Sequence, residues 1–328
     1  MTVRVYSSED AGAPTLTGQA GSLTNLLDKV LVEGYGTTVA AGWAVAFTAT
    51  DKRAYRAAAG VRAYLLVNDA AASGAQYADV RGYATMSDVD TGTEPFPTSA
   101  QSSTWVATKS SAASSASRPW VAFADDRFIW LFATVNGSTW PKLVLAFGDI
   151  VSLKPSDNFG AVIAADRTRA TSPGVSHNRF GALDGVDPQF YLLRAADEVV
   201  GAALATSVPI NLANAITASG VPRALGNYYT ITGNTGAENY PSPVTGQASI
   251  APILLMERPA TASAGFRGYL PGMYQPLHTV SVLNSGDIID GGVALAGRQL
   301  QMQQFNYGSN LAAVHDARAY IDITGGWR

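Results

Sequence analysis

The sequence predicts a mainly β protein built from antiparallel sandwich- or barrel-like sheets with one or two short helices. Many short apolar runs are broken at close intervals by the chain's 32 Gly and 16 Pro, as between strands. The stretch RPWVAFADDRFIWLFATVNGSTWPKLVLAFGDIVSL holds three β-runs, separated by Asp125-Asp126 and by Asn136-Gly137, the latter suited to a hairpin turn with positive φ. Only one segment repeats apolar residues at clear helical spacing.

From the N-terminus, Val3 to Tyr6 alternates as a short strand. After the loop GAPTLTGQAG, Leu23, Leu26, Leu27, Val30 and Leu31 recur three and four apart. This predicts an amphipathic helix over 22–33, about three turns long, with Ser22 as its cap and Gly34 as its stop. Strands follow at Trp43 to Thr48 and Arg62 to Val67, the second too apolar for a solvent-facing strand and so read as central. RGYATMSDVDTGTEPFPT reads as a strand running into a long turn. Ser110 to Ser117, SSAASSAS, is of low complexity and reads as a mobile loop or a crossover between strands.

Beyond the three-run meander, turn residues crowd the stretch from Asp157 to Pro188. This predicts a division into 1–157, a boundary region 158–188, and a second antiparallel β domain over 189–328, since 328 residues exceed the usual size of one core. Strands are expected at Phe190 to Arg194, Tyr228 to Thr232, Ile250 to Glu257, Arg267 to Leu270, Val280 to Leu283, Val293 to Ala296, Gln299 to Phe305 and Ala317 to Ile323.

Composition narrows the function classes. Charged residues make up 14% of the chain, against roughly 25% in an ordinary soluble domain. A surface rich in Ala, Ser, Thr and Gly suits packing against neighbouring subunits. The net charge of −3 leaves no basic footprint for nucleic acid, and Cys 0 removes disulfides, thiolate metal sites and cysteine nucleophiles. The first residues, MTVRVYSSEDAG, lack the apolar core of a signal peptide, and no apolar run approaches the ~20 residues of a membrane span.

Catalytic patterns are equally sparse. His177, His278 and His315 are far apart and read as structural, with no metal-binding spacing among them. Asp88 and Asp90 in SDVDTGTE resemble the start of a Ca²⁺ loop, but the Gly and Glu that complete one are missing, which favours a hydrogen-bonded turn. The pairs Asp125-Asp126 and Glu9-Asp10 read as solvated turn carboxylates. Nucleophile-elbow, phosphate-loop and dinucleotide signatures are absent, so neither a catalytic residue nor a cofactor is assigned. Trp130 is expected in the core, whereas Tyr240 in ENYPSP and Tyr274 in GMYQP are expected in loops that meet a partner.

The segments VRVYSSEDAGAPTLTGQAGSLTNLLDKVLVEGYG, YADVRGYATMSDVDTGTEPFPT, FGDIVSLKPSDNFG and FRGYLPGMYQPLH together resemble uncharacterised virion structural proteins of tailed bacteriophages. The resemblance implies a non-catalytic part of the particle, assembled in the host cytoplasm, with other virion proteins and further copies of the chain as partners. Tail or baseplate is the preferred position and head decoration the alternative. A carbohydrate-binding or carbohydrate-active tail protein is the rival reading. Loops Ser87 to Pro97 and Gly233 to Val244 are expected to reach adjacent subunits; with the GMYQP loop, they make Asp88, Asp90, Phe96, Tyr240 and Tyr274 the interface candidates.

Overall fold

The computed structural model of the chain describes residues 2–70, 75–99, 106–135, 141–165, 190–195, 203–207, 240–257, 265–278, 283–307 and 315–328. In chain order, β1 (Arg4–Ser7) precedes α1 (Ser22–Leu27), which continues in π-helical winding over Asp28–Glu33. A smaller sheet of 6 strands follows. Its order is β2 (Ala44–Ala49), β3 (Lys52–Arg56), β4 (Tyr64–Asn68), β5 (Tyr77–Asp88) and β6 (Thr91–Phe96), with β7 (Val106–Thr108) also paired to β5.

The larger sheet has 13 strands and is antiparallel throughout. It combines β1 with β8 (Trp120–Ala124), β9 (Phe128–Ala133), β10 (Lys142–Asp149), β11 (Val151–Ser152), β12 (Ala161–Ala164), β13 (Phe190–Leu192) and β14 (Ala203–Ser207). It continues through β15 (Ile250–Glu257), β16 (Gly265–Pro276), β17 (Ile288–Asp290), β18 (Gln299–Tyr307) and β19 (His315–Asp322). Neighbours run β1-β8-β9-β10-β12-β13-β14-β15-β16-β19-β18-β17. Because β11 follows β10 after a single residue and pairs with β16, the path from β10 round to β16 returns to its start, so this part closes like a barrel.

The mainly β expectation therefore holds, and its clearest elements fall where the periodicity puts them. The helix spans Ser22 to Glu33, and Leu23, Leu26, Leu27, Val30 and Leu31 are all fully buried. Gly34, at φ 81, ends it, because a Cβ there would meet the Thr38 carbonyl at 2.5 Å. The cap differs from expectation. Gly21 occupies the cap position, Ser22 is the first helical residue, and its Oγ donates backward to the Thr17 carbonyl at 2.8 Å. The Leu23 N–H is instead taken up by Asp69 Oδ2 at 2.7 Å, from the chain just beyond β4.

β9 is the hinge of the packing. Its alternate side chains serve two cores: Ile129, Leu131 and Ala133 meet the helix and smaller sheet, while Phe128, Trp130 and Phe132 face the interior shared with β15, β16 and β19. Both faces being covered explains its unbroken apolar run. Trp130 is fully buried, and its indole N–H donates to the Pro271 carbonyl at 3.0 Å. β4 lies between β3 and β5 as expected, with Leu65 and Val67 inward. The segment 110–117 is the crossover from the smaller sheet to the larger one.

Three local readings are corrected. TGTEPF is not part of a long turn but strand β6, joined to β5 through Val89 and Asp90. Pro95 is tolerated there because β6 pairs on one side only among the described residues. Val293–Leu295 forms a 3₁₀ turn rather than a strand, enclosed by Gly292 at φ 66 and Gly297 at φ 76. Tyr274 lies in β16, not in a loop. Pro271 and Gly272 look like turn residues, but Gly272, at φ 63, instead makes room for the Trp327 ring within the strand.

Pairing also runs across the expected boundary at 158–188. β12 lies inside that range and joins β10 to β13 in one sheet, so the described parts of 1–157 and 189–328 share strands and both larger cores. The expected strand at Tyr228 to Thr232, most of that at Val280 to Leu283, the Asn136-Gly137 turn and His177 lie outside the described residues.

Candidate functional site

The expected interface residues scatter. Asp88 and Asp90 are exposed at the tip of the β5–β6 hairpin, where the Asp90 N–H donates to Asp88 Oδ1 at 2.7 Å. Lys52 Nζ lies 2.7 Å from Asp90 Oδ1. These contacts give a hydrogen-bonded turn. Phe96, by contrast, is fully buried: its ring stacks on Phe147 at 6.0 Å and fills the space a Cβ on Gly82 would need. It packs within its own subunit and offers no side-chain surface to another.

Tyr240 lies half-buried against the His278 ring at 4.9 Å, and the Tyr320 hydroxyl is 3.1 Å from His278 Nε2. Tyr274 is half-buried beside the same small core and is cross-strand to Tyr320. Tyr240 and Tyr274 are thus brought together, whereas Asp88 and Asp90 sit apart on the smaller sheet. His278 is buried and packs against both the Tyr240 and Tyr320 rings.

The most unusual chemistry involves residues that no sequence pattern singles out. Asp69 and Lys109 follow β4 and β7 directly, and both side chains have 0% exposure. Lys109 Nζ contacts Asp69 Oδ1, donates to the Gln19 carbonyl at 2.6 Å, and lies 3.4 Å from Ser22 Oγ. Asp69 Oδ2 accepts from the Leu23 N–H at 2.7 Å.

The backbone holds both residues in place. The Asp69 N–H donates to Asp51 O at 2.8 Å, the Gly21 N–H to Asp69 O at 3.1 Å, and the Lys109 N–H to Gln76 O at 3.0 Å. Burial pushes the Asp69 carboxyl up to about 6 against the pull of Lys109, and burial likewise lowers the Lys109 amine against the pull of Asp69. Both shifts favour the uncharged forms. Only a signal linking positions 40 apart could have revealed this pair, and local spacing carries none.

A second ionic centre gathers at the junction of the sheets. Asp125, expected to be a solvated turn carboxylate, is buried; its Oδ1 accepts from the Arg127 and Phe128 N–H groups at 2.8 and 2.7 Å, and Arg328 lies 3.1 Å from Oδ2. The short ADD turn tucks this carboxylate back under its own backbone, which composition does not reveal. Arg328 also donates to the Asp149 carbonyl, while Asp149 Oδ2 accepts from the Val61 N–H at 2.9 Å. Glu9 is exposed, and Asp10 accepts from the Tyr35 hydroxyl at 2.7 Å.

Elsewhere Arg267 and Asp157 form a buried pair at 2.7 Å. Among the described residues, acidic and histidine side chains gather nowhere in a group suited to a metal ion, and no helix is long and apolar enough to cross a membrane. No protein-family model matches the chain, and no curated protein matches it at a significant level.

Proposed function

We propose that the chain is a structural component of a tailed-phage virion, placed in the tail or baseplate and acting by packing between subunits rather than by catalysis. The observation that carries this reading lies at the end of the larger sheet. Gln247 Oε1 accepts from the Val293 N–H at 2.9 Å and so holds the 242–247 turn beside the 3₁₀ turn. Val244 and Val293 on those two turns are 88% and 82% exposed, and Ile288 on the end strand β17 is 54% exposed. Exposed apolar side chains fixed at a strand edge are suited to burial against another protein.

The low charge of the chain supports the same reading. Several of its few ionic groups are spent inside the fold, as in Asp69–Lys109 and Asp157–Arg267. The remaining surface has fewer charges to desolvate on association.

Quantitative mass spectrometry of purified particles, with heads and tails separated, tests the proposal. The expected outcome is a fixed copy number in the tail fraction at a small multiple of three or six, as tail symmetry requires. Hundreds of copies in the head fraction would instead place the chain on the capsid. Absence from both fractions overturns the virion reading.

A further inference from the structure

The geometry points to Lys109 and Asp69 as the two halves of an intramolecular isopeptide bond, formed by the folded chain on itself with loss of one water. It goes beyond the virion reading and does not depend on where the chain resides.

Two charges with no exposure are costly unless every hydrogen-bonding position is filled. As an ammonium, Lys109 directs its three N–H groups to Asp69 Oδ1, the Gln19 carbonyl and Ser22 Oγ. Transfer of one proton across the contact to Asp69 removes both charges. The resulting amine keeps two donors for Gln19 and Ser22, and its lone pair then faces the Asp69 carboxyl group. Burial favours this neutral pairing on both sides.

The remaining groups are placed for the addition. The amine nitrogen attacks Asp69 Cγ, forming the C–N bond, and the electron pair of the C=O bond moves onto Oδ2. That oxygen already accepts the Leu23 N–H at 2.7 Å, with the Thr24 N–H adding to the same carboxyl. A donor held where negative charge develops is the usual means of lowering the barrier to acyl transfer. A proton then passes from the attacking nitrogen to Oδ1, the C–Oδ1 bond breaks, and Oδ1 leaves as water. The balance is closed: an ammonium and a carboxylate become an amide and water, with no oxidant, metal or further reactant.

Holding the two groups in contact replaces a bimolecular step by an intramolecular one, for which effective molarities reach roughly 10⁵–10⁸ M. The anchored backbones of Asp69 and Lys109 maintain that contact. The bond would tie the end of β4 to the end of β7 beneath the start of the helix.

The test is the intact mass of the purified full-length chain, read fresh and after prolonged incubation at neutral pH, followed by tandem mass spectrometry of its peptides. Lys109→Arg serves as reference because its guanidinium stays charged and is no nucleophile. The expected result is a wild-type chain lighter by one water than its sequence, with a branched peptide joining Lys109 to Asp69, and a variant at full sequence mass. A wild-type chain that keeps its full mass after incubation overturns the inference, whatever the variant does. A water loss mapped to cyclisation of a single aspartate overturns it equally.

Discussion

Asp149 shows how position in the fold governs the chemistry of one residue. It ends β10, and its carboxylate is enclosed by the Val61 N–H, Arg328, Arg127 and Asp125. Burial pushes it from 3.8 up to about 6, and the Val61 hydrogen bond and the two arginines recover only part of the difference. The folded protein therefore holds this proton more tightly than the unfolded chain does. Its contribution to stability is complete below 3.8 and is lost as pH rises through about 6.

A rise of that size is worth roughly 3 kcal/mol. Urea unfolding of wild type and Asp149→Asn should show it directly. The stability of wild type relative to the variant is expected to be greater at about pH 4 than at pH 7, by up to roughly 3 kcal/mol. A difference independent of pH would show that Asp149 titrates normally. Asp157 behaves oppositely. Burial raises it, but Arg267, Ser152 and the Phe159 N–H outweigh burial and hold it below the usual carboxylate range, so its stabilisation is lost in acid.

Among elements, the helix is the part most fully written in local sequence, yet it depends on a distant side chain. Five apolar residues at spacings of three and four specify its buried face, and all five are fully buried. Its first turn is completed by Asp69, which no neighbouring residue announces. Leu27→Asp places a charge in the core shared by the helix and both sheets, at a cost of several kcal/mol. The expected outcome is loss of the folded state, read as loss of the far-ultraviolet β signal and of cooperative melting. A normally folded variant would mean that this face is exposed.

The strands divide along similar lines. β9 is legible because an apolar run bounded by turns is consistent with a strand covered on both faces. β6 is not, because Gly92 and Pro95 look like turn residues. It is extended because it pairs along β5, with the Thr85 and Thr93 hydroxyls 2.7 Å apart and Phe96 lodged over Gly82. Those are properties of two strands together.

At the scale of the whole molecule, the larger sheet takes strands from both sides of the expected boundary. β1 and β8 to β12 begin before it ends, β13 to β19 follow it, and Trp327 packs its ring against Phe128 at 6.2 Å. A fragment of residues 1–157 would lose β12 and β16, which pair with β10 and β11, and with them β13, which pairs with β12. It is expected to be unable to fold alone, and the full chain to unfold in one calorimetric transition with no separate C-terminal melt. Two well-resolved transitions, with a folded fragment, would restore a division near residues 158–188.

By itself the sequence determined the β class, the helix and its buried face, the meander around Trp130, and a surface poor in charge. Each of these follows from periodicity or composition within one stretch of chain. Only the tertiary structure decided that β6 is a strand, that Tyr274 lies in β16, that Phe96 and Asp125 are buried, and that Lys109 meets Asp69. Each of these depends on what other residues present across a turn, a sheet or the core, and residue spacing holds no record of those contacts.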